Sequence, residues 1–349
     1  MREAFSKLPA AEWSKVDVAA ALRCIPGMAL TLTVGLVTGH PKLAVMATAG
    51  AFTVGFGSFY RVMESRRVAM IFAALGVAVS SWMGSVAGLT PATSALAAGL
   101  WGLLYGVFSE FSDDASWVVL QCVIWFFVSS SAPARGVPAL TRAVVVLGGG
   151  LIQIPLVVFF WRLSRPPFPK ASFLEDARIQ IREALKTLSA SRWLELYPLQ
   201  CAITLMVAML ISHRLPWPVS YWIPMTSALV LRPAFADALQ RGILRIGGTL
   251  CGAGIAASLT LLVHPHKAGL AVLVLVFALG SYLLTFVNYA LFTITVTPYI
   301  IFLLELSGLS GAALIKYRTL DTILGGALAL LGHAVQVAVA GPVRRRVRV

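Results

Sequence analysis

The chain is poor in charge, and poorest in acid. Only 12% of its 349 residues are charged, and 14 Asp and Glu stand against 28 Lys and Arg. A soluble domain carries about a quarter charged residues. With 58% hydrophobic residues and a mean hydropathy of +0.85, a water-soluble globule and a disordered chain are both excluded. Cysteine is scarce as well. Cys24, Cys122, Cys201 and Cys251 lie inside apolar stretches without CxxC spacing, so they read as small packing residues rather than a disulfide framework or zinc site. The P-loop, HExxH and GxSxG motifs are missing, which removes ATP hydrolysis and the common hydrolytic chemistries. His264 and His266 form an HxH pair with no third ligand nearby. No enzyme activity, no cofactor and no metal are expected. The period-two alternation of barrel strands is also lacking.

What the chain has is long apolar runs. A bilayer-crossing helix needs about 20 mostly apolar residues. Twelve stretches qualify, over 19–38, 42–58, 68–88, 92–108, 115–131, 142–161, 195–213, 217–231, 243–263, 268–286, 288–304 and 321–340. The expected fold is an all-α polytopic membrane protein. Basic residues collect on the cytoplasmic side of such proteins. With both termini placed inside, 21 of the 28 Lys and Arg fall on the cytoplasmic side and 7 outside. The net charge of +14 therefore reads as topogenic. No nucleic-acid partner is expected.

The expected organisation is an amphipathic cytoplasmic N-terminus (1–16), a six-helix repeat (17–161), a basic cytoplasmic linker helix (162–193), a second six-helix repeat (194–341) and a basic tail (342–349). The linker opens on the breaker run Arg165-Pro166-Pro167-Phe168-Pro169. The halves echo one another. Gly39-His40-Pro41 answers Pro216-Trp217-Pro218, Arg66-Arg67 answers Arg241, and Arg142 before Gly148-Gly149-Gly150 answers Arg318 before Gly325-Gly326. Six spans per half give two units of the same topology, a parallel repeat with its substrate path near the axis between the halves.

Several polar residues fall inside these spans. Asp237, Arg241 and Arg245 stand at i, i+4 and i+8 on one helix face. They form either a cationic clamp for an anion, with Asp237 in a salt bridge to it, or a pair of arginines that snorkel to the headgroups. Arg232, before Pro233, could join the cluster. Asn288-Tyr289 and Thr297-Pro298 mark a span that is either a broken helix lining the path or a packing kink. In the last span Asp321 and His333 share a face with Gly325 and Ala329. Either could relay protons, although a lone buried histidine more often bonds a neighbouring helix. Tyr221 and Trp222 could stack a ligand. The default reading of the tryptophans, Trp82, Trp101, Trp117, Trp161, Trp193, Trp217 and Trp222, is the interfacial belt.

The stretch from Tyr221 to Gly252 resembles the signature of the fusaric acid resistance protein-like family. The resemblance rests on Tyr221, Trp222, Pro224, Pro233, Phe235, Gln240, Arg241, Arg245, Gly248 and Thr249. Asn288-Tyr289-Ala290, Thr297-Pro298, Arg318, Asp321-Thr322 and Gly325 resemble the family's closing pattern. The resemblance implies an inner-membrane exporter of aromatic carboxylic acids. Through distant plant malate channels it also implies a dimeric anion channel as the alternative. The long central cytoplasmic domain of larger members has no counterpart beyond residues 162–193.

The substrate-binding residues expected are Arg245, Arg241, Arg232, Tyr221, Trp222, Thr297, Tyr289 and Asn288, with Asp321 and His333 for proton coupling. The partners expected are a small organic anion and membrane lipid. A homodimer and a periplasmic adaptor remain open, and so does a non-transporting scaffold that uses the 162–193 helix.

Overall fold

In a computed structural model, residues 10–62, 65–164, 196–217 and 219–346 are described. Twelve α-helices occupy them: α1 Val18–Val37, α2 Pro41–Phe56, α3 Arg66–Ala87, α4 Pro91–Phe111, α5 Asp113–Ser130, α6 Val137–Ser164, α7 Leu196–Arg214, α8 Trp222–Val230, α9 Phe235–Val263, α10 Lys267–Leu284, α11 Tyr289–Leu306 and α12 Gly311–Arg346. Eight of them, all but α5, α7, α8 and α12, are long and apolar enough to cross a bilayer, as a multi-pass membrane protein requires. The expected linker helix lies outside the described residues. Of the amphipathic N-terminus, the described part holds one 3-10 turn, Trp13–Lys15. It is tacked to the α10–α11 link by the Glu12 amide, which donates to the Val287 carbonyl at 3.0 Å.

Local chemistry sets the helix starts. The Asp17, Thr90, Ser112 and Asn288 side chains each accept an amide hydrogen bond at the start of α1, α4, α5 and α11, satisfying donors that have no partner within the helix. Pro41 and Pro91 occupy first-turn positions where the missing N–H costs nothing.

Each helix expected from hydropathy is present, with corrected lengths. The stretch 217–231 yields only nine helical residues in α8, because Val219–Tyr221 turns first. At about 1.5 Å per residue, α8 alone cannot cross a membrane. All nine of its residues are buried, so it is a short helix enclosed by its neighbours. Of the two readings of Thr297-Pro298, the broken helix is not seen: the helix is continuous through Pro298. Proline leaves the Ile294 carbonyl without its helical donor, and Gly252 packs directly on that oxygen.

The packing pairs run in parallel sets. In the first half α1 packs on α2 and α6, α2 on α6, α3 on α5 and α6, and α4 on α5. In the second, α7 packs on α8 and α12, α8 on α12, α9 on α11 and α12, and α10 on α11. Across the halves α4 meets α7 as α10 meets α1, and α5 meets α8 as α11 meets α2. Close glycine contacts fix the register. A Cβ on Gly84 would overlap the Phe126 carbonyl, and one on Gly252 would overlap that of Ile294. Both residues of the second pair stand 168 positions after the first. Gly149 lies on the Ala47 carbonyl as Gly325 lies on that of Ile223, both 176 positions later. The second register sets Arg142 against Arg318. The first sets Arg245 against Val77 and Arg241 against Ala73, so the expected match of Arg66-Arg67 with Arg241 is out of step.

Candidate functional site

A cavity of about 1170 Å³ runs between the halves, walled chiefly by α2, α5, α8, α9 and α11. It extends from Asp113, Arg232 and Arg241 at one end to Lys42, Arg142 and Leu309 at the other. Its charged lining is four arginines and one lysine against a single aspartate. The field inside it is therefore positive. The rest of the wall is largely apolar and aromatic. Phe52 stacks on Tyr299 with ring centroids 4.0 Å apart, and Tyr60 on Trp117 at 4.4 Å. Burial pushes the Tyr60 phenol upward, keeping it a neutral hydroxyl.

The three arginines expected from the sequence do reach this cavity, but they are held differently. Arg232 Nη1 donates to the Tyr105 hydroxyl at 2.5 Å and to its neighbour Leu231's carbonyl at 3.1 Å. Arg241 Nε donates to the Leu229 carbonyl at 2.8 Å, and its guanidinium lies 3.9 Å from the Tyr289 ring centroid. Leu229 and Leu231 end α8, where carbonyls are left unpaired and a cation is favoured. Arg232 and Arg241 thus close the end of a short helix. This is their reason for facing inward, rather than snorkelling.

Arg245 differs. It sits about 15 Å into α9 and is buried, with Nε lacking a hydrogen-bond partner. The Tyr289 hydroxyl lies within electrostatic reach of Arg232, Arg241 and Arg245. The expected salt bridge from Asp237 does not form: among the described residues the ion pair is Lys15–Glu12, at 2.8 Å. Asp237 stands exposed in the first turn of α9, where an acid suits the helix N-terminus. The cationic group is left without an acid.

Tyr221, Trp222 and Tyr289 line the cavity. Trp222 and Trp117 are buried, which corrects their assignment to an interfacial belt; Trp82, 46% exposed, fits it. Thr297 packs against Gly252 in the α9–α11 contact, away from the cavity wall. Asn288 caps α11 through the Ala290 amide at 2.8 Å. His333 Nε2 donates to the Arg232 carbonyl at 2.5 Å, and its Nδ1 is buried without a partner. It supports the backbone of a cavity residue. Asp321 is fully buried, and neither carboxylate oxygen has a partner.

Sequence reasoning passed over Tyr105, Tyr60 and the lining role of Arg142. Tyr105 carried a signal, a lone hydroxyl between Gly102 and Gly106. Those glycines bring α4 onto the backbone of α7 and bury the ring.

Comparison with known proteins agrees with the resemblance read from the motifs. The model of the fusaric acid resistance protein-like family matches residues 207–332. That segment holds every cavity arginine except Arg142. A stretch of 131 residues is 34% identical to the uncharacterized protein YhfK of Escherichia coli (strain K12), covering 38% of this chain and 19% of that protein. The match thus spans about a fifth of that relative's length. No solved structure matches.

Proposed function

We propose that this chain moves small organic anions, aromatic carboxylates foremost, across a bacterial cytoplasmic membrane through the cavity between its halves. The observation that carries this reading is Arg245, a buried arginine facing the cavity with an unused donor and no acidic partner. A buried guanidinium N–H left without an acceptor is costly, and a carboxylate supplies both the charge and paired acceptors. The aromatic walls give a ring somewhere to stack. The relation to fusaric acid resistance proteins supports an export role. In this reading both termini are cytoplasmic and the two halves are a parallel repeat, supported by the matched helix pairings and the two glycine registers.

A second reading, a passive anion channel, is favoured by the length of the cavity, which reaches from Asp113 to Leu309. An exporter coupled to protons needs a titratable group, and Asp321 and His333 are the residues assigned to it.

The test is flux in proteoliposomes. Labelled 4-hydroxybenzoate should cross far faster than in empty vesicles, and in competition its uncharged analogue 4-hydroxybenzyl alcohol should leave that flux unchanged. Accumulation driven by an imposed pH gradient supports the exporter. Flux that only relaxes the anion gradient supports the channel. No anion flux overturns both.

A further inference from the structure

Arg318 is the most fully buried cation of the described residues that forms no hydrogen bond. It is 0% exposed, and Nε, Nη1 and Nη2 all lack a partner. Its guanidinium lies 4.8 Å from the Trp222 ring centroid. Trp222 lines the cavity; Arg318 does not. The indole therefore stands between this cation and the path.

The register between the halves shows that this arrangement is particular to the second. Arg142 and Arg318 each stand seven residues before the glycine that meets the facing carbonyl, Gly149 and Gly325. Arg142 Nη1 donates to the Ser85 hydroxyl at 2.6 Å and to the Ser129 and Ala132 carbonyls at 3.0 and 2.6 Å. Its Nη1 thus ties α3 to the end of α5. In the second half the residue after the close glycine is Ala253 rather than Ser85, so the hydroxyl is gone. Arg318 keeps the charge without the partners. Asp321, one turn along α12, lies within electrostatic reach of Arg318 but forms no hydrogen bond to it, since both its oxygens are also unpartnered.

We propose that Arg318 is a second carboxylate-binding residue of the path, screened by Trp222. When the indole moves aside, an anion released from Arg245 meets the Arg318 guanidinium on its way past α8. This inference rests on the anion-transport reading.

The experiment compares four variants, R318Q, R318K, W222L and W222L/R318Q, with wild type in proteoliposomes at equal reconstituted amounts. The probes are labelled 4-hydroxybenzoate and chloride. R318Q should lower 4-hydroxybenzoate flux about ten-fold or more, the loss of one charge-assisted contact, and R318K should recover part of it. W222L should uncover the cation and admit a chloride leak, which W222L/R318Q should abolish. A merely structural arginine would not make the leak depend on its charge. Wild-type flux in R318Q, or a leak that persists in W222L/R318Q, overturns the inference and leaves the transport reading standing. If R318Q fails to fold, the W222L leak decides, because W222L keeps the arginine; no leak there overturns the inference. No flux in wild type overturns the transport reading and this inference with it.

Discussion

The guanidinium of Arg241 lies 3.9 Å above the ring of Tyr289, with its Nε hydrogen-bonded to the Leu229 carbonyl. One helix turn further on, Arg245 has neither kind of bond from its Nε. Two arginines on one helix face thus have different work. R241A should cost about 2 kcal/mol of stability, since it removes a cation–π contact and a charged hydrogen bond to a helix end. R245A should cost less, because its Nε has no protein partner and what it loses is the contact of the guanidinium with the Tyr289 hydroxyl. Thermal unfolding of the two purified variants, followed by intrinsic fluorescence, checks the contrast.

That contrast was only half legible in the sequence. The spacing of Asp237, Arg241 and Arg245 places them on one face, and they are there. The same spacing predicts a salt bridge from Asp237, and none forms because Arg241 is drawn to Tyr289 and to the end of α8. Both partners come from other helices, where local spacing carries no information. The helices themselves were easier, since a lipid-facing run must be apolar along most of its length. The segment 217–231 departs furthest: a buried segment is as apolar as a spanning one, and Pro216-Trp217-Pro218 marks a link without showing that the turn continues to Tyr221.

The close glycines make a sharper test of packing. A Cβ on Gly252 would overlap the Ile294 carbonyl, whereas one on Gly254 would meet nothing within 4 Å. G252A should reduce folded yield by forcing α9 from α11. G254A, two residues away on the open side, should be neutral or stabilising by up to about 1 kcal/mol, as alanine suits a helix interior better. Monodisperse yield after detergent extraction, with melting temperature, distinguishes them.

His333 is bound to the Arg232 carbonyl through Nε2. A glutamine there keeps a donor of similar reach, so H333Q should preserve downhill anion flux and H333A should lower it several-fold. Equal flux in H333A and wild type would remove the positioning role of this residue. The same assay, run under a pH gradient, shows whether its titration matters as well.

Asp321 separates the exporter from the channel. D321N keeps the size of the side chain and removes its proton exchange. In a coupled exporter, D321N should lose accumulation driven by the pH gradient while still relaxing an anion gradient. In a channel, D321N and wild type should behave alike. Uptake with and without the imposed gradient gives the answer.

The central claim is that Arg245 binds the transported anion, and its most direct test is 4-hydroxybenzoate flux through R245A beside R245K. The account predicts that R245A, inserted and folded as wild type, loses flux by at least about ten-fold. R245K should fall between, because an ammonium keeps the charge but not the paired geometry. Wild-type flux in R245A would contradict the account.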